Sequence, residues 1–199
     1  MRFGMYGKDV AQERMEFVTY RLRIQREDFM STYSSGPFNN ILKSNGPWSV
    51  NFIDCPTNEY FLYLYNKVGK DYQWYMLNLV DPNSLRKYLD HTFMTTLHMN
   101  GEPVGFGSFE VGKNDKDVNI TYFGLAACAI GRGVGRHFLK HVVYTTFDTC
   151  STKDSAWLYT TDRDHPNALP SYKSVGFQIE HVGIEHHWAP LSVFRPDEV

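Results

Sequence analysis

The segment from Ala129 to Lys140, AIGRGVGRHFLK, sets glycines at positions 131, 133 and 135 between a run that reads as a strand and one that reads as a helix start. Glycine in a helix costs on the order of 1 kcal/mol relative to alanine, so the stretch is either a loop without a task or a backbone needing close access to a ligand. A dinucleotide fingerprint fails here, because counting from Gly131 its third glycine falls on Arg136. A phosphate loop of the G-x-x-x-x-G-K-[ST] kind fails as well, since no Lys-Ser or Lys-Thr follows. What remains is a strand, a glycine turn and a helix N-terminus, a nest of backbone N–H groups aimed at an anion. Arg132 and Arg136 add fixed positive charge, and two guanidiniums with a helix dipole suit a pyrophosphate better than a single carboxylate.

The rest of the chain frames that turn. EFVTYRLRIQ, from Glu16 to Gln25, alternates as a strand with Tyr20, Leu22 and Ile24 on one face. STYSSGPFNNILKSNGPWS carries two Gly-Pro pairs and reads as an extended loop. Asp54 and Pro56 mark the start of a helix through TNEYFLYLYNKVG that stops at Gly69, and Asp81-Pro82 starts a second, NSLRKYLDH, with KDYQWYMLNL between them. TFMTTLHM, the hairpin signal Asn100-Gly101, PVGFGSFEVG, the polar turn KNDKD and VNITYFGLA form a meander of three antiparallel strands. They feed the glycine turn and a helix of about four turns, whose apolar face holds Phe138, Leu139, Val142, Val143 and Phe147. SAWLYTTD is a further strand, HPNALPSYKSV a short helix and FQIEHVGI a last strand. Hairpins followed by helical crossovers predict an α/β fold, a central mixed antiparallel and parallel sheet flanked by helices, in one domain over 1–199.

A net charge of -2 with scattered basic residues leaves no footprint for a nucleic-acid partner. Three cysteines, Cys55, Cys128 and Cys150, without CxxC spacing read as free thiols in a reducing compartment. No run approaches the roughly 18 apolar residues of a membrane span. The first residues lack a signal peptide's apolar core, so no membrane partner and a cytoplasmic location are expected. His137 and His141 on one helix, and the adjacent His186 and His187, invite a zinc reading. With no HExxH and no third ligand, surface histidines and no metal are expected.

VNITYFGLAACAIGRGVGRHFLK resembles the acyl-coenzyme A binding motif of the GNAT superfamily of N-acetyltransferases, [RQ]-x-x-G-x-[GA] after a strand and before a helix. The pattern falls on Ile130, Gly131, Arg132, Gly133, Val134 and Gly135. Ile130 departs from the usual Arg or Gln, but the phosphate contacts are mostly backbone, so binding is expected to survive. HPNALPSYKSVGF resembles the superfamily's second signature, N-x-x-A-x-x-x-Y-x-x-x-G-F: Ala168, Tyr172, Gly176 and Phe177 match, and His165 takes the usual Asn position. The resemblance covers roughly residues 90 to 184, and YLYNKVGKDYQWY is similar in texture to a bacterial GNAT subgroup of uncharacterised activity.

The resemblance implies transfer of an acetyl group from acetyl-coenzyme A to a primary amine, on a small molecule or peptide, by direct attack. It puts the backbone of Phe123 and Leu125 on the pantetheine arm. The turn from Gly131 to Gly135 takes the pyrophosphate, with Arg132 and Arg136 beside it, and His165 serves either the pantetheine or the local turn. Tyr172 matches the general acid for the departing thiolate; an unperturbed phenol, with a pKa of about 10, is protonated at neutral pH. The usual catalytic Glu position falls on Asn119, and an amide accepts no proton. Glu110 on the adjacent strand is the first substitute, with Asp162 and Asp164 behind it. Cys128 is expected to be a small buried thiol rather than a nucleophile. The acceptor site is expected from residues 55 to 90 and the region after Phe177, with Tyr72, Trp74 and Tyr75 either lining it or packing. Two rivals stay open: a catalytically weak acyl-coenzyme A sensing domain, motivated by Asn119, and a non-enzymatic interaction module, motivated by the aromatics from Tyr60 to Tyr75. A homodimer is also left open.

Overall fold

The computed structural model describes residues 12–33, 47–111 and 116–190. In chain order these form β1 (Gln12–Gln25), α1 (Arg26–Tyr33), β2 (Trp48–Asp54), α2 (Asn58–Gly69), α3 (Pro82–Leu89), β3 (Thr92–Met99), β4 (Glu102–Val111), β5 (Asp117–Leu125), α4 (Val134–Thr149), β6 (Ser155–Thr161), α5 (Ala168–Val175) and β7 (Gln178–Pro190). The meander is present as read. Asn100 and Gly101 take φ of 53° and 85°, the two left-handed positions of a turn whose twist matches its flanking strands. Most of KNDKD lies outside the described residues.

Local chemistry explains the helix starts. Asp81 Oδ1 accepts from the N–H groups of Asn83 (3.1 Å) and Ser84 (3.0 Å), and Pro82 occupies the first turn, where its missing N–H costs nothing. The helix before it begins later than the Asp54–Pro56 signal indicates. Asp54 still belongs to β2, and Thr57 Oγ1 is the cap, accepting from Tyr60 N–H at 3.3 Å. The connection KDYQWYMLNL folds as two 3₁₀ turns, Lys70–Tyr72 and Met76–Leu79.

Two elements correct the expected order. α1 and β2 each overlap an end of the stretch read as an extended loop, and neither is expected as an element from the sequence. β2 carries the alternation Trp48, Val50, Phe52, but it is a sheet edge with mostly exposed side chains, so its apolar signal is thin. The last strand runs on to Pro190, six residues past the FQIEHVGI segment.

The seven strands order as β2-β3-β4-β5-β6-β1-β7, and only β5 and β6 run parallel. This is the mixed sheet flanked by helices that the hairpins and crossovers predict. β1 sits far from the meander, between β6 and β7; alternation within a strand says nothing about its neighbours. One face is covered by α1, α4 and α5, with Leu22, Ile24, Phe138, Val142, Phe147 and Phe177 in its core. The other is covered by α2 and α3, where Phe61, Leu64, Leu85 and Leu89 pack on Met94 and Phe106. Among the described residues no helix is long and apolar enough to cross a membrane.

A polar clasp crosses four neighbouring strands. Arg23 of β1 donates to Asp117 Oδ2 of β5 (2.6 Å), Ser155 Oγ of β6 (2.6 Å) and Glu180 Oε1 of β7 (2.9 Å). Ser155 Oγ donates in turn to Asp117 Oδ1 at 2.6 Å. Burial alone would raise the Asp117 carboxyl, but the hydrogen bonds from Arg23 and Ser155 and the Arg23 charge outweigh it and hold it below its ordinary value. A depressed carboxylate pKa contributes stability above its unfolded value, about 3.9, and that stability is lost as pH falls through the folded value. Asp117→Asn is therefore expected to lower the thermal midpoint at pH 7, with the gap to wild type closing below about pH 4, read by calorimetry across pH.

Candidate functional site

β5 and β6 pair at only three positions, Asp117 with Ser155, Val118 with Ala156 and Asn119 with Trp157. Beyond them the strands part. The β4–β5 register shifts so that Ser108 faces Tyr122 while Phe109 faces Ile120, leaving Thr121 as the extra residue of a bulge. Thr121 Oγ1 shares a 2.9 Å hydrogen bond with Ser108 Oγ. Further along, Ala126 N–H donates to Val104 O at 2.8 Å. By the alternation of an antiparallel ladder, the N–H and C=O groups of Phe123 and Leu125 then turn away from β4, into the gap.

A cavity of about 670 Å³ fills that gap. Its floor is β5 from Thr121 to Leu125; one end is Ile130, Gly131, Gly133, Gly135 and Arg136, and the other wall includes His165 and Tyr172. Gly131 and Gly133 have φ of 78° and 76°, the left-handed region closed to most side chains. Gly133 caps α4, and no side chain bonds to that cap. The first N–H groups of the helix and the positive end of its dipole thus face the cavity. A Cβ at Gly135 would lie 3.2 Å from Leu125 Cδ1, so glycine there lets the helix end approach the strand.

Tyr172 projects from α5, 6% exposed, its ring edge-on to Phe123 at 6.2 Å and Phe177 at 6.0 Å. Burial, helped by the Asp164 charge, pushes its phenol well above the ordinary value. A second cavity, of about 320 Å³, adjoins the first and shares Thr121, Tyr122 and Tyr159 with it. Its remaining wall is Leu77, Tyr88, Glu110, Asn119 and Ile120. Glu110 and Asn119 are directly opposed across β4 and β5, on the face covered by α2 and α3. Burial raises the Glu110 carboxyl above its ordinary value, and a hydrogen bond from the Tyr88 hydroxyl opposes only part of that shift.

No protein-family model and no curated protein matches the sequence. Solved structures do match. The tandem GNAT protein from the clavulanic acid biosynthesis pathway, solved without acetyl-coenzyme A, superposes with a TM-score of 0.64 at 10% identity, over 90% of this chain and 55% of that one. A GCN5-related N-acetyltransferase from Kribbella flavida gives 0.57 at 13% identity, over 89% of this chain and 60% of that one. This chain has the GNAT fold. An aminoglycoside acetyltransferase from an uncultured soil metagenomic sample superposes with a TM-score of 0.53 at 14% identity, over 68% of this chain and 93% of that one. The chain spans 55% to 63% of the first four solved chains it matches.

Within this GNAT fold, most residues singled out from the sequence converge on the two cavities. Phe123, Leu125, Ile130, Gly131, Gly133, Gly135, Arg136, His165 and Tyr172 line the first; Glu110 and Asn119 line the second. Arg132 does not, and its Nε instead donates to Cys128 O at 2.7 Å. The Val134 side chain is buried in the core, leaving only its backbone for the turn. His165 holds a local turn, its Nδ1 accepting from Asn167 N–H at 3.0 Å while the ring lines the cavity. Asp162 accepts from Val18 N–H, and Asp164 from Thr160 Oγ1 and Thr161 N–H. Neither of these carboxylates reaches the second cavity.

Two expectations need correcting. Cys128 is exposed, because Ala126 and Ala129 take the inward positions around its 3₁₀ turn. His137 and His141 are half-buried rather than on the surface, and burial lowers both pKa values. Trp74 lines the first cavity but is also packed by ring contacts with Tyr65, Phe106 and Tyr122, while Tyr75 lines neither cavity. Among the described residues, no group of three or more His, Cys, Asp or Glu could hold a metal ion. Tyr88 and Tyr159 went unnoticed in the sequence. Tyr88 stands three residues after the buried Leu85, which already aims it at the sheet.

The raised Glu110 pKa makes its ionised form costly in the folded protein. That cost is absent below the unfolded value, about 4.3, and grows as pH rises through the folded one. Glu110→Gln is accordingly expected to unfold at a higher temperature than wild type at pH 8, with the advantage shrinking below about pH 4, as scanning calorimetry at several pH values can establish.

Proposed function

We propose that this protein is an acetyl-coenzyme A dependent N-acetyltransferase that acylates a primary amine by direct attack, with the two substrates meeting in the gap between β5 and β6. The observation that carries this reading is the convergence on that gap of an uncapped helix N-terminus, a phenol held protonated and a partly desolvated carboxylate. The residues present fit coenzyme A. Gly131 and Gly133 put no Cβ in the way, the first turn of α4 offers N–H donors to a pyrophosphate, and Arg136 adds charge. The outward-turned backbone of Phe123 and Leu125 fits the amides of the pantetheine arm. When bound, the coenzyme's thioester supplies an activated acyl carbon.

The chain's own groups account for the proton traffic. Glu110 takes the proton from the incoming ammonium, directly or through one water, and its raised pKa makes it a stronger base than a solvated carboxylate. Asn119 beside it hydrogen-bonds the acceptor. A backbone N–H on the β5 wall polarises the thioester carbonyl as charge gathers on its oxygen. Tyr172 keeps its proton until negative charge develops on the departing sulfur, then donates it. The carboxylate absent at position 119 is thus supplied from the neighbouring strand, which favours a transferase over a domain that only binds or senses the coenzyme.

Titration calorimetry tests the first half: coenzyme A is expected to bind, and no heat at millimolar ligand would overturn the reading. Coenzyme A release with a confirmed amine tests the second. Tyr172→Phe is expected to lower kcat by about 10²-fold with little change in coenzyme affinity. Glu110→Gln is expected to lose a similar factor in kcat/KM and the acid limb of its pH profile, a limb lying above the ordinary carboxylate range in wild type.

A further inference from the structure

We infer that the acceptor is a primary amine borne on a compact aromatic or apolar body with no carboxylate of its own. This rests on the transferase reading for the reaction, and on the walls of the second cavity for the selectivity. Those walls hold one formal charge, Glu110; among the described residues no Lys, Arg or His lines the cavity. The remainder is Tyr88, Tyr122, Tyr159 and Leu77, the neutral polar groups of Asn119 and Thr121, and the backbone of Ile120, whose side chain is buried in the core on the other face of the sheet.

Each acceptor class meets this wall differently. A single ammonium near Glu110 is paired with the one carboxylate and surrounded by tyrosine side chains, both of which favour it. An α-amino acid brings its own carboxylate within two bonds of the reacting nitrogen, where it faces Glu110 and finds no cation to offset its desolvation. A polyamine brings a second ammonium with no second carboxylate to receive it. The space itself, about 320 Å³, takes a body of one ring, with Leu77 and Tyr88 closing it on the helical side. Tyr159, 52% exposed, forms the rim it shares with the coenzyme cavity. The amine then reaches the gap past the bulge at Thr121, while its body stays against Tyr88 and Tyr122.

The deciding experiment compares phenethylamine with phenylalanine, which differ only in the carboxylate, and both with spermidine. It reads coenzyme A release from acetyl-coenzyme A and, separately, calorimetric binding of each amine to the protein saturated with coenzyme A. Phenethylamine is expected to exceed phenylalanine at least about 100-fold in kcat/KM, and spermidine about 10-fold, factors that one unpaired buried charge can supply. Tyr159→Ala, at an exposed position outside the reacting groups, is expected to raise KM for phenethylamine with kcat retained. Equal or better use of phenylalanine or spermidine overturns the inference, as does failure of phenethylamine to bind. Selective binding of phenethylamine without coenzyme A release overturns the transferase reading and supports the cavity's selectivity for an amine of this class as a ligand.

Discussion

The parting of β5 from β6 is the constraint on which the rest of the structure turns. Two parallel strands that stayed paired to their ends would satisfy every backbone group and leave no cleft. Here pairing stops at Asn119 and Trp157, the bulge at Thr121 bends β5 away, and the N–H and C=O groups of Phe123 and Leu125 are released. At the joined end, Arg23, Asp117, Ser155 and Glu180 hold four strands together. The clasp and the opening are complementary: the strands can separate at one end because they are tied at the other.

Because the gap passes through the sheet, chemistry from both faces meets in it. Tyr172 and the α4 N-terminus belong to the face packed by α4 and α5, whereas Glu110, Tyr88 and Tyr122 belong to the face packed by α2 and α3. The Tyr172 phenol and the Glu110 carboxyl thereby line different cavities, which meet at Thr121, Tyr122 and Tyr159. At Glu110 burial raises the carboxyl pKa, so that its ionised form is costly among the side chains around it.

Much of this was legible in the sequence because the signals are local. Asn100-Gly101 dictates a hairpin from its own φ requirements, Asp81-Pro82 a helix start, and the alternate glycines an open helix N-terminus. The meander puts Glu110 on the strand beside Asn119, and the structure's register sets the two directly opposite. What stayed hidden depends on distant parts of the chain. The place of β1 in the sheet is decided by pairing with strands more than a hundred residues away. β2 was masked by the Gly-Pro turns before it and by its exposed edge position. Arg132 was read as a phosphate ligand from proximity, but a guanidinium on a tight turn can equally satisfy the carbonyl four residues back, and here it does.

The position of β1 also orders events in time. It is the first described strand off the ribosome, yet its partners, β6 and β7, begin at Ser155 and Gln178. Throughout most of synthesis Leu22 and Ile24 therefore have no sheet to bury against, and both backbone edges of the strand stand open. Its insertion between β6 and β7 is a late, long-range closure of the kind that slows folding. Since Arg23 arrives with it, the clasp at the joined end of the gap locks last. The nascent chain can acquire its meander and glycine turn early, but the cleft gains its final shape only when the two ends of the described chain meet.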